Sequence, residues 1–368
     1  MNPANTIEQI LDLARWAPSG DNTQPWRFEV IDAQSLVVHG FDTRDHCVYD
    51  LDGRPSQISL GALLETMAIA ATAHGWQMHM SRRTDCPDTK PTFEVRFAPD
   101  AAVQPSPLIE AITRRSVQRR PMSTRALTAQ QKSALQAAVG GGFRIVWLEG
   151  WRDRMHMARL MSRNARLRLT MPEAYEVHRD IIQWNARFSE DRVPDQALGV
   201  DPLTARLMRF VMGSWQRVKF FNTFLAGTLV PRLQMDLIPG LLCAAHLVIK
   251  AQHRPTGIDD FVAAGRAVQR LWLTATQLGL VQQPEMTPLI FSSYVRDGTP
   301  FTSVASLQLL ARALAEATRS LIGPDVDHAV WMGRVGAGPA PKSRSTRRPL
   351  QALMHPNTSL ARGGERRP

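Results

Sequence analysis

Three polar stretches carry residue types suited to ligand chemistry. The first is ARWAPSGDNTQPWR at 14–27, where helical periodicity gives way to Pro18, Ser19, Gly20, Asn22 and Gln24 between two tryptophans. Proline and glycine let the backbone come close to a flat ligand, while hydroxyl and carboxamide groups both donate and accept, which suits the edge of a heteroaromatic ring. A helix end followed by a turn and an edge strand is the plainer reading. The second, TRRSVQRR at 113–120, sets Ser116 among Arg114, Arg115, Arg119 and Arg120 beside a helix break. Guanidinium forks grip phosphate bidentately and a hydroxyl adds a bond, against the alternative of a solvated basic face. The third, KSRSTRRP at 342–349, reads either as a basic tail or as a second arginine pair, Arg347 and Arg348, entering the same phosphate site.

The rest of the chain must position these groups. Its 368 residues, 44% of them hydrophobic, allow a large core in one big or two medium domains. The net charge of +11 suggests nucleic acid until the charges are located: residues 342–368 contribute six of the eleven. No zinc-finger, RNA-recognition or helix-turn-helix signature accompanies them, so no nucleic-acid partner is expected. Cys47, Cys86 and Cys243 are odd in number and far apart, which implies reduced thiols and no metal site. The apolar segment 224–249 is broken by Pro231, Arg232, Asp236 and Pro239, and no secretory pattern opens the chain. A cytoplasmic protein without a membrane partner is expected.

Periodicity predicts a helix over 7–16, a hairpin of strands at 27–31 and 35–40, a buried helix over 59–76 and a strand at 92–97. The Pro-rich joint 99–107 then marks a boundary. Beyond it the pattern predicts helices at 108–115 and, capped by Thr128, at 128–139, then a strand at 143–148. A helical stretch over 152–231 contains a surface loop at 187–202, a candidate lid. A helix over 259–280, a strand at 289–294, a helix over 303–321 and a strand at 329–335 follow. No GxGxxG opens a strand–helix turn, which disfavours a Rossmann fold.

Four blocks, ARWAPSGDNTQPWRF, ITRRSVQRRPM, AGRAVQRLWLTATQLGL and MGRVGAGPAP with TRRPL, resemble the flavin-dependent nitroreductase family. The resemblance implies an α+β sandwich that binds FMN between two equivalent subunits. The Arg-Ser block and a late Arg hold the phosphate, and the PSxxNxQPW block reaches the ring from the partner. Here the block order is reversed and each block occurs once. The resemblance therefore implies two fused unequal halves forming an intrachain pseudo-dimer: residues 1–100 with the ring cradle, residues 108–349 with the phosphate clamp and a helical lid insert, and a flexible basic tail at 350–368. One FMN site per chain is expected, in a monomer or weak homodimer.

Carried over residue by residue, the resemblance places Arg114, Ser116, and Gln118 or Arg119 at the phosphate, with Arg115 in the same block and Arg347 and Arg348 closing the site. Pro18, Ser19, Gly20, Asn22 and Gln24 would face the ring, and LVQQP at 280–284, with Gln282 and Gln283, would lie along it. Trp184 and Phe188 are substrate-stacking candidates, with packing into the core as the alternative. The implied activity is hydride transfer from NAD(P)H through FMN to a small aromatic, nitro or quinone-like acceptor, without a side-chain nucleophile. The alternatives are a catalytically silent flavin-storage protein and a flavin oxidase in a biosynthetic pathway.

Overall fold

The computed structural model describes residues 3–358. Helix Pro3–Ala14 leads through a turn at Gly20–Asn22 into the strands Trp26–Val30 and Ser35–Gly40. The first strand alternates as its sequence requires, with Trp26, Phe28 and Val30 buried and Arg27 and Glu29 half-buried. Helix Arg54–Ala71 and strands Trp76–Arg82 and Thr92–Pro99 complete the first half. Every pairing in its sheet is antiparallel, and the lateral order is first, second, fourth, third strand.

Strands Phe143–Leu148, Ala245–Ala251, Leu280–Pro284 and Ala329–Ala337 form a second sheet with the same order and sense. Helix Ile258–Gln277 falls between its second and third strands, as Arg54–Ala71 does in the first half. The fold is thus α+β, with two fused unequal halves forming a pseudo-dimer within one chain.

The two long helices cross at Gly61 and Gly265. A Cβ at Gly61 would fall 2.0 Å from the Val262 carbonyl oxygen, and one at Gly265 would fall 2.0 Å from that of Ile58. No residue larger than glycine fits such an approach without moving backbone. Around the crossing, Glu65 accepts from Arg266 at 2.7 Å and meets Arg270 at 3.1 Å, while Gln269 Nε2 donates to Thr66 Oγ1 at 2.8 Å.

The halves differ in their connections. A tight turn at 31–34 joins the first two strands of the first sheet, whereas residues 149–244 intervene in the second, carrying helices Trp151–Thr170, Pro172–Ile181, Pro202–Val211 and Trp215–Phe224. Among the described residues no helix is long and apolar enough to cross a membrane, and Cys47, Cys86 and Cys243 are free.

Four expectations are corrected. Residues 289–294 are not a strand but part of helix Thr287–Asp297, which has Pro288 in its first turn and ends at Gly298 with φ 66°. Strands Trp76–Arg82 and Ala245–Ala251 add to the sequence reading; the second is buried on both faces and shows no alternation. The segment 187–202 is no free surface loop: Phe188–Ser189 pairs in parallel with Arg344–Ser345, and Val193–Pro194 with Ile182–Gln183. Residues 350–358 are not a loose tail either. Leu353 is fully buried in the first half's core, and the Phe28 carbonyl accepts from His355 N at 2.7 Å and Thr358 Oγ1 at 3.1 Å. Residues 359–368, with Arg362, Arg366 and Arg367, lie outside the described residues.

Candidate functional site

After helix Pro3–Ala14 the chain folds into a loop in which Asp21, Asn22 and Gln24 have φ of 50°, 64° and 50°. Side chains rarely adopt this left-handed conformation, so surrounding contacts must hold it. Ser19 Oγ accepts from Gln24 N at 3.0 Å within the loop. The remaining contacts come from distant sequence. Arg347 donates through Nε to Ala17 O and through Nη1 to Asn22 Oδ1, both at 2.9 Å. Asn22 Nδ2 donates to Thr346 O at 3.3 Å and Arg192 O at 3.4 Å. Gln24 Nε2 donates to Glu190 O at 2.8 Å, and its Oε1 accepts from Arg348 N at 3.0 Å. Asn22 and Gln24 therefore face the segments 187–192 and 342–348. Pro18 is half-buried and Gly20 exposed, and a Cβ at Gly20 would meet nothing within 4 Å.

Against this loop lies the arginine block. Helix Ile109–Arg114 ends where Arg115 turns extended, with ψ 131°, which leaves Arg114 exposed and sends Arg115 inward. Arg115 Nη2 donates to Trp16 O at 2.9 Å, and its guanidinium lies 4.7 Å over the Trp272 ring. Arg347 Nη2 reaches the same Trp16 O at 3.4 Å. Arg344 donates to Thr113 O at 3.0 Å and lies 5.2 Å over the Trp16 ring. Ser116 is half-buried in the same segment.

Among the described residues, no carboxylate pairs with Arg115, Arg344 or Arg347. Burial and then the neighbouring Arg347 and Arg344 push the Arg115 pKa well below its usual range; burial and then Arg344 and Arg15 bring Arg347 down to about 9. Buried cations without counter-charge are costly, and a bound anion removes that cost.

Gln118 is placed differently from its expected role. It is buried, its Nε2 donates to Pro339 O at 2.8 Å, its Oε1 accepts from Arg120 N at 3.1 Å, and its N donates to Gln282 O at 2.8 Å. It ties the arginine block to the edge strand of the second sheet. Gln282 is fully buried there, and neither polar atom of its side chain has a partner among the described residues; Gln283 Nε2 donates to Pro284 O at 2.9 Å. Arg348 is at the rim, 3.2 Å from Asp191. Trp184 packs on the cluster of Ile182, Val193, Leu198 and Val200, and Phe188 is exposed beside the Arg187 guanidinium at 5.2 Å. The structure thus brings together the loop at 18–24, Arg115, Arg119 and Arg347; Ser116 follows Arg115 in the chain, and among the described residues no contact to the loop joins it to them. It does not bring in Arg114, Trp184 or Phe188.

Residues 3–42, which contain the strained loop, match the Nitroreductase family. The chain is also 34% identical over 121 residues to "Putative NAD(P)H nitroreductase MT3217" of Mycobacterium tuberculosis, a match covering 33% of this chain and 35% of that protein. The likeness to the nitroreductase family is carried by the segment that holds the strained loop. Over 361 residues it is 24% identical to the uncharacterized protein MT1398 of Mycobacterium tuberculosis, covering 96% of this chain and 49% of that one. The chain thus spans about half or less of the length of these relatives. Two solved structures are similar at low level: a nitroreductase-like family protein from Bacillus cereus (11% identity, 68% of this chain and 95% of that one, TM-score 0.35) and a nitroreductase with bound FMN from Bacteroides fragilis (12% identity, 64% and 89%, TM-score 0.31).

The matched segment 3–42 contains one residue that the sequence reading did not single out. Asp21 lies near Arg119 and Arg168; burial outweighs both arginines and raises its carboxyl pKa. Burial likewise lowers Arg119 to about 10, although Asp21 opposes it. Beside them the Tyr49 hydroxyl and His178 Nε2 share a hydrogen bond at 2.8 Å, and burial followed by Arg168 drops His178 to about 3, so the imidazole is neutral. Asp21 lay inside the quoted stretch and Arg344 inside the third basic block, so both were within reach of the sequence. Tyr49, Arg168 and His178 sit on separate elements with no spacing to link them.

Two other polar groups have structural explanations. Cys243, His246 and Glu285 line up with Sγ to Nε2 at 3.6 Å and Nδ1 to Oε2 at 2.7 Å. The His246 Nε2 hydrogen, however, goes to Gly240 O at 2.8 Å, and although burial is the largest single influence and acts downward, Glu285 and Cys243 together raise His246 to about 10. An imidazolium with both N–H groups engaged has no lone pair to take the thiol proton. Glu29, His39 and His355 hold candidate ligand atoms within 4.8 Å of one another. The 2.6 Å Glu29–His39 contact and the Asn357 N–H on His355 Nδ1 account for them without an ion.

Proposed function

We propose that the chain is an FMN-dependent oxidoreductase that takes electrons from NAD(P)H and passes them to a small aromatic, nitro or quinone-like acceptor. The observation that carries this reading is the cluster of Arg115, Arg344 and Arg347, buried or half-buried and without carboxylate partners, at the junction of the two halves. This donor set fits a phosphomonoester, whose oxygens planar forks bind, and Ser116, next to Arg115 in the chain, would add a hydroxyl. Gln282 adds a buried amide with a free donor and a free acceptor, which suits the polar edge of an isoalloxazine. The residues present therefore fit FMN.

When bound, FMN supplies the hydride chemistry, so no side-chain nucleophile is required. The chain's own residues bind and orient. Arg115, Arg344 and Arg347 would hold the phosphate, and Gln282 would fix the ring edge. The segments 187–192 and 342–348 hold the loop at 18–24 through Asn22 and Gln24, while Gly20 stays open to solvent. Tyr49, hydrogen-bonded to neutral His178, is placed to hold a proton beside Arg168.

One observation favours a second reading. Those two segments are bonded to the loop through the Asn22 and Gln24 side chains and to each other through the Phe188–Arg344 strand pair, which suits a protein that stores flavin behind a closed lid. The two readings separate in one experiment. FMN is titrated into the full chain, followed by visible absorbance, and NAD(P)H oxidation is then assayed with nitro and quinone acceptors. Binding with turnover supports the enzyme, and binding without turnover supports storage. A chain that takes up no FMN overturns both.

A further inference from the structure

The helical hairpin formed by Pro202–Val211 and Trp215–Phe224 exposes an apolar surface that the fold does not use. Leu203, Leu207 and Phe210 follow at helical spacing on one face and are 74%, 49% and 55% exposed. On the second helix Phe220 and Phe224 are 53% and 71% exposed, with rings 5.2 Å apart. The surface is continuous, because Phe221 touches both Phe210 and Phe220 with ring centroids at 6.5 and 6.1 Å.

The charge on this surface has one sign. From Pro202 to Met235 the sequence contains five basic residues and no acidic one. Arg206, Arg209, Arg217 and Lys219 are exposed, and among the described residues none of them is ion-paired. Arg217 lies 4.5 Å over the Phe210 ring, so cations and apolar side chains are interleaved. The hairpin is anchored from below, where Tyr175 Oη donates to Met212 O at 3.1 Å and Asn222 Nδ2 to Leu169 O at 2.9 Å.

We propose that this hairpin docks on an anionic lipid bilayer, with Leu203, Phe210, Phe220 and Phe224 entering the headgroup boundary and the arginines and Lys219 meeting lipid phosphates. Apolar burial and attraction to anionic lipid act together on such a surface. Charge decides against the other occupants. A second copy would bring the same uncompensated cations into one interface, and a nucleic-acid backbone offers nothing to cover the leucines and phenylalanines. The sequence expectation of no membrane partner rested on spanning segments, and a helix lying in the interface escapes that criterion. The inference is independent of the flavin reading.

The test is co-sedimentation of the full chain with phosphatidylcholine vesicles, with and without phosphatidylglycerol. Wild type should bind only the anionic vesicles, and less at high ionic strength. The variant Arg206→Gln/Arg209→Gln/Lys219→Gln should partition on the order of a hundredfold more weakly. A second variant, Leu203→Gln/Phe210→Gln/Phe224→Gln, should lose binding while keeping the wild-type circular dichroism. Failure of wild type to bind anionic vesicles, or full binding by either folded variant, overturns the proposal. So does a dimer that the apolar variant dissolves, if no vesicle binding accompanies it.

Discussion

Arg347 and Asn22 are joined by a 2.9 Å hydrogen bond from Nη1 to Oδ1, although 325 positions separate them in the chain. The guanidinium that holds the strained loop in shape is also a member of the unpaired cation cluster. Loop geometry and the proposed phosphate site therefore share one side chain.

Replacing Arg347 by alanine should thus remove both functions. FMN affinity is expected to fall by at least about tenfold, since a charge-assisted contact to phosphate is worth about 1.5–3 kcal/mol. Arg115→Ala should act similarly, whereas exposed Arg114→Ala should change affinity less than about threefold. Fluorescence titration with FMN checks the set; equal losses at Arg114 and Arg115 would contradict the placement of these side chains.

Gln282→Leu makes a test with two opposed readouts. In the ligand-free protein the change removes a buried amide without partners, so stability should hold or rise by about 1 kcal/mol. If the amide serves the ring edge, FMN affinity should fall in the same variant. Thermal denaturation with and without FMN reads both quantities, and a variant whose affinity is unchanged would remove Gln282 from the site.

The crossing of the long helices predicts a steep penalty for a single methyl. Gly61→Ala or Gly265→Ala places a Cβ 2.0 Å from a backbone oxygen of the other helix, which must move away. A loss of about 3 kcal/mol is expected. It would appear as a lower urea midpoint at unchanged slope. A loss below about 1 kcal/mol would mean that the helices do not meet there.

His246 gives a pH signature. Burial acts downward, but Glu285 and Cys243 together raise its folded-state pKa from 6.5 to about 10, so its stabilisation is fully present below about pH 6.5 and is lost as the pH rises through 10. Urea denaturation across that window should show stability falling with pH. Glu285→Gln should flatten the slope and destabilise by about 3 kcal/mol, because it leaves Arg334 and His246 buried without their carboxylate.

Much of this organisation was legible in the residues themselves. The hairpin showed in its alternation, the Thr128 cap proved to be a capping box with Gln131, and the PSGDNTQPW block marked the loop. What escaped depended on context. Ala245–Ala251 is buried on both faces and carries no period, so nothing in its sequence separated it from the apolar helices before it. The run at 289–294 is apolar and short enough for either state; Pro288 and Gly298 at its ends decide for helix. Asn22 and Gln24 were rightly seen as unusual in a turn, but spacing cannot tell whether an amide meets a ligand or the backbone of residues 190 and 346.

The strap at 342–355 also orders events in time. A ribosome must add some 320 residues after the loop at 18–24 before Arg344 and Arg347 exist. Until then the nascent first half carries a left-handed turn without the contacts of Arg347, and the guanidinium cluster is incomplete. The outer support of the loop therefore forms only once residue 347 has been made.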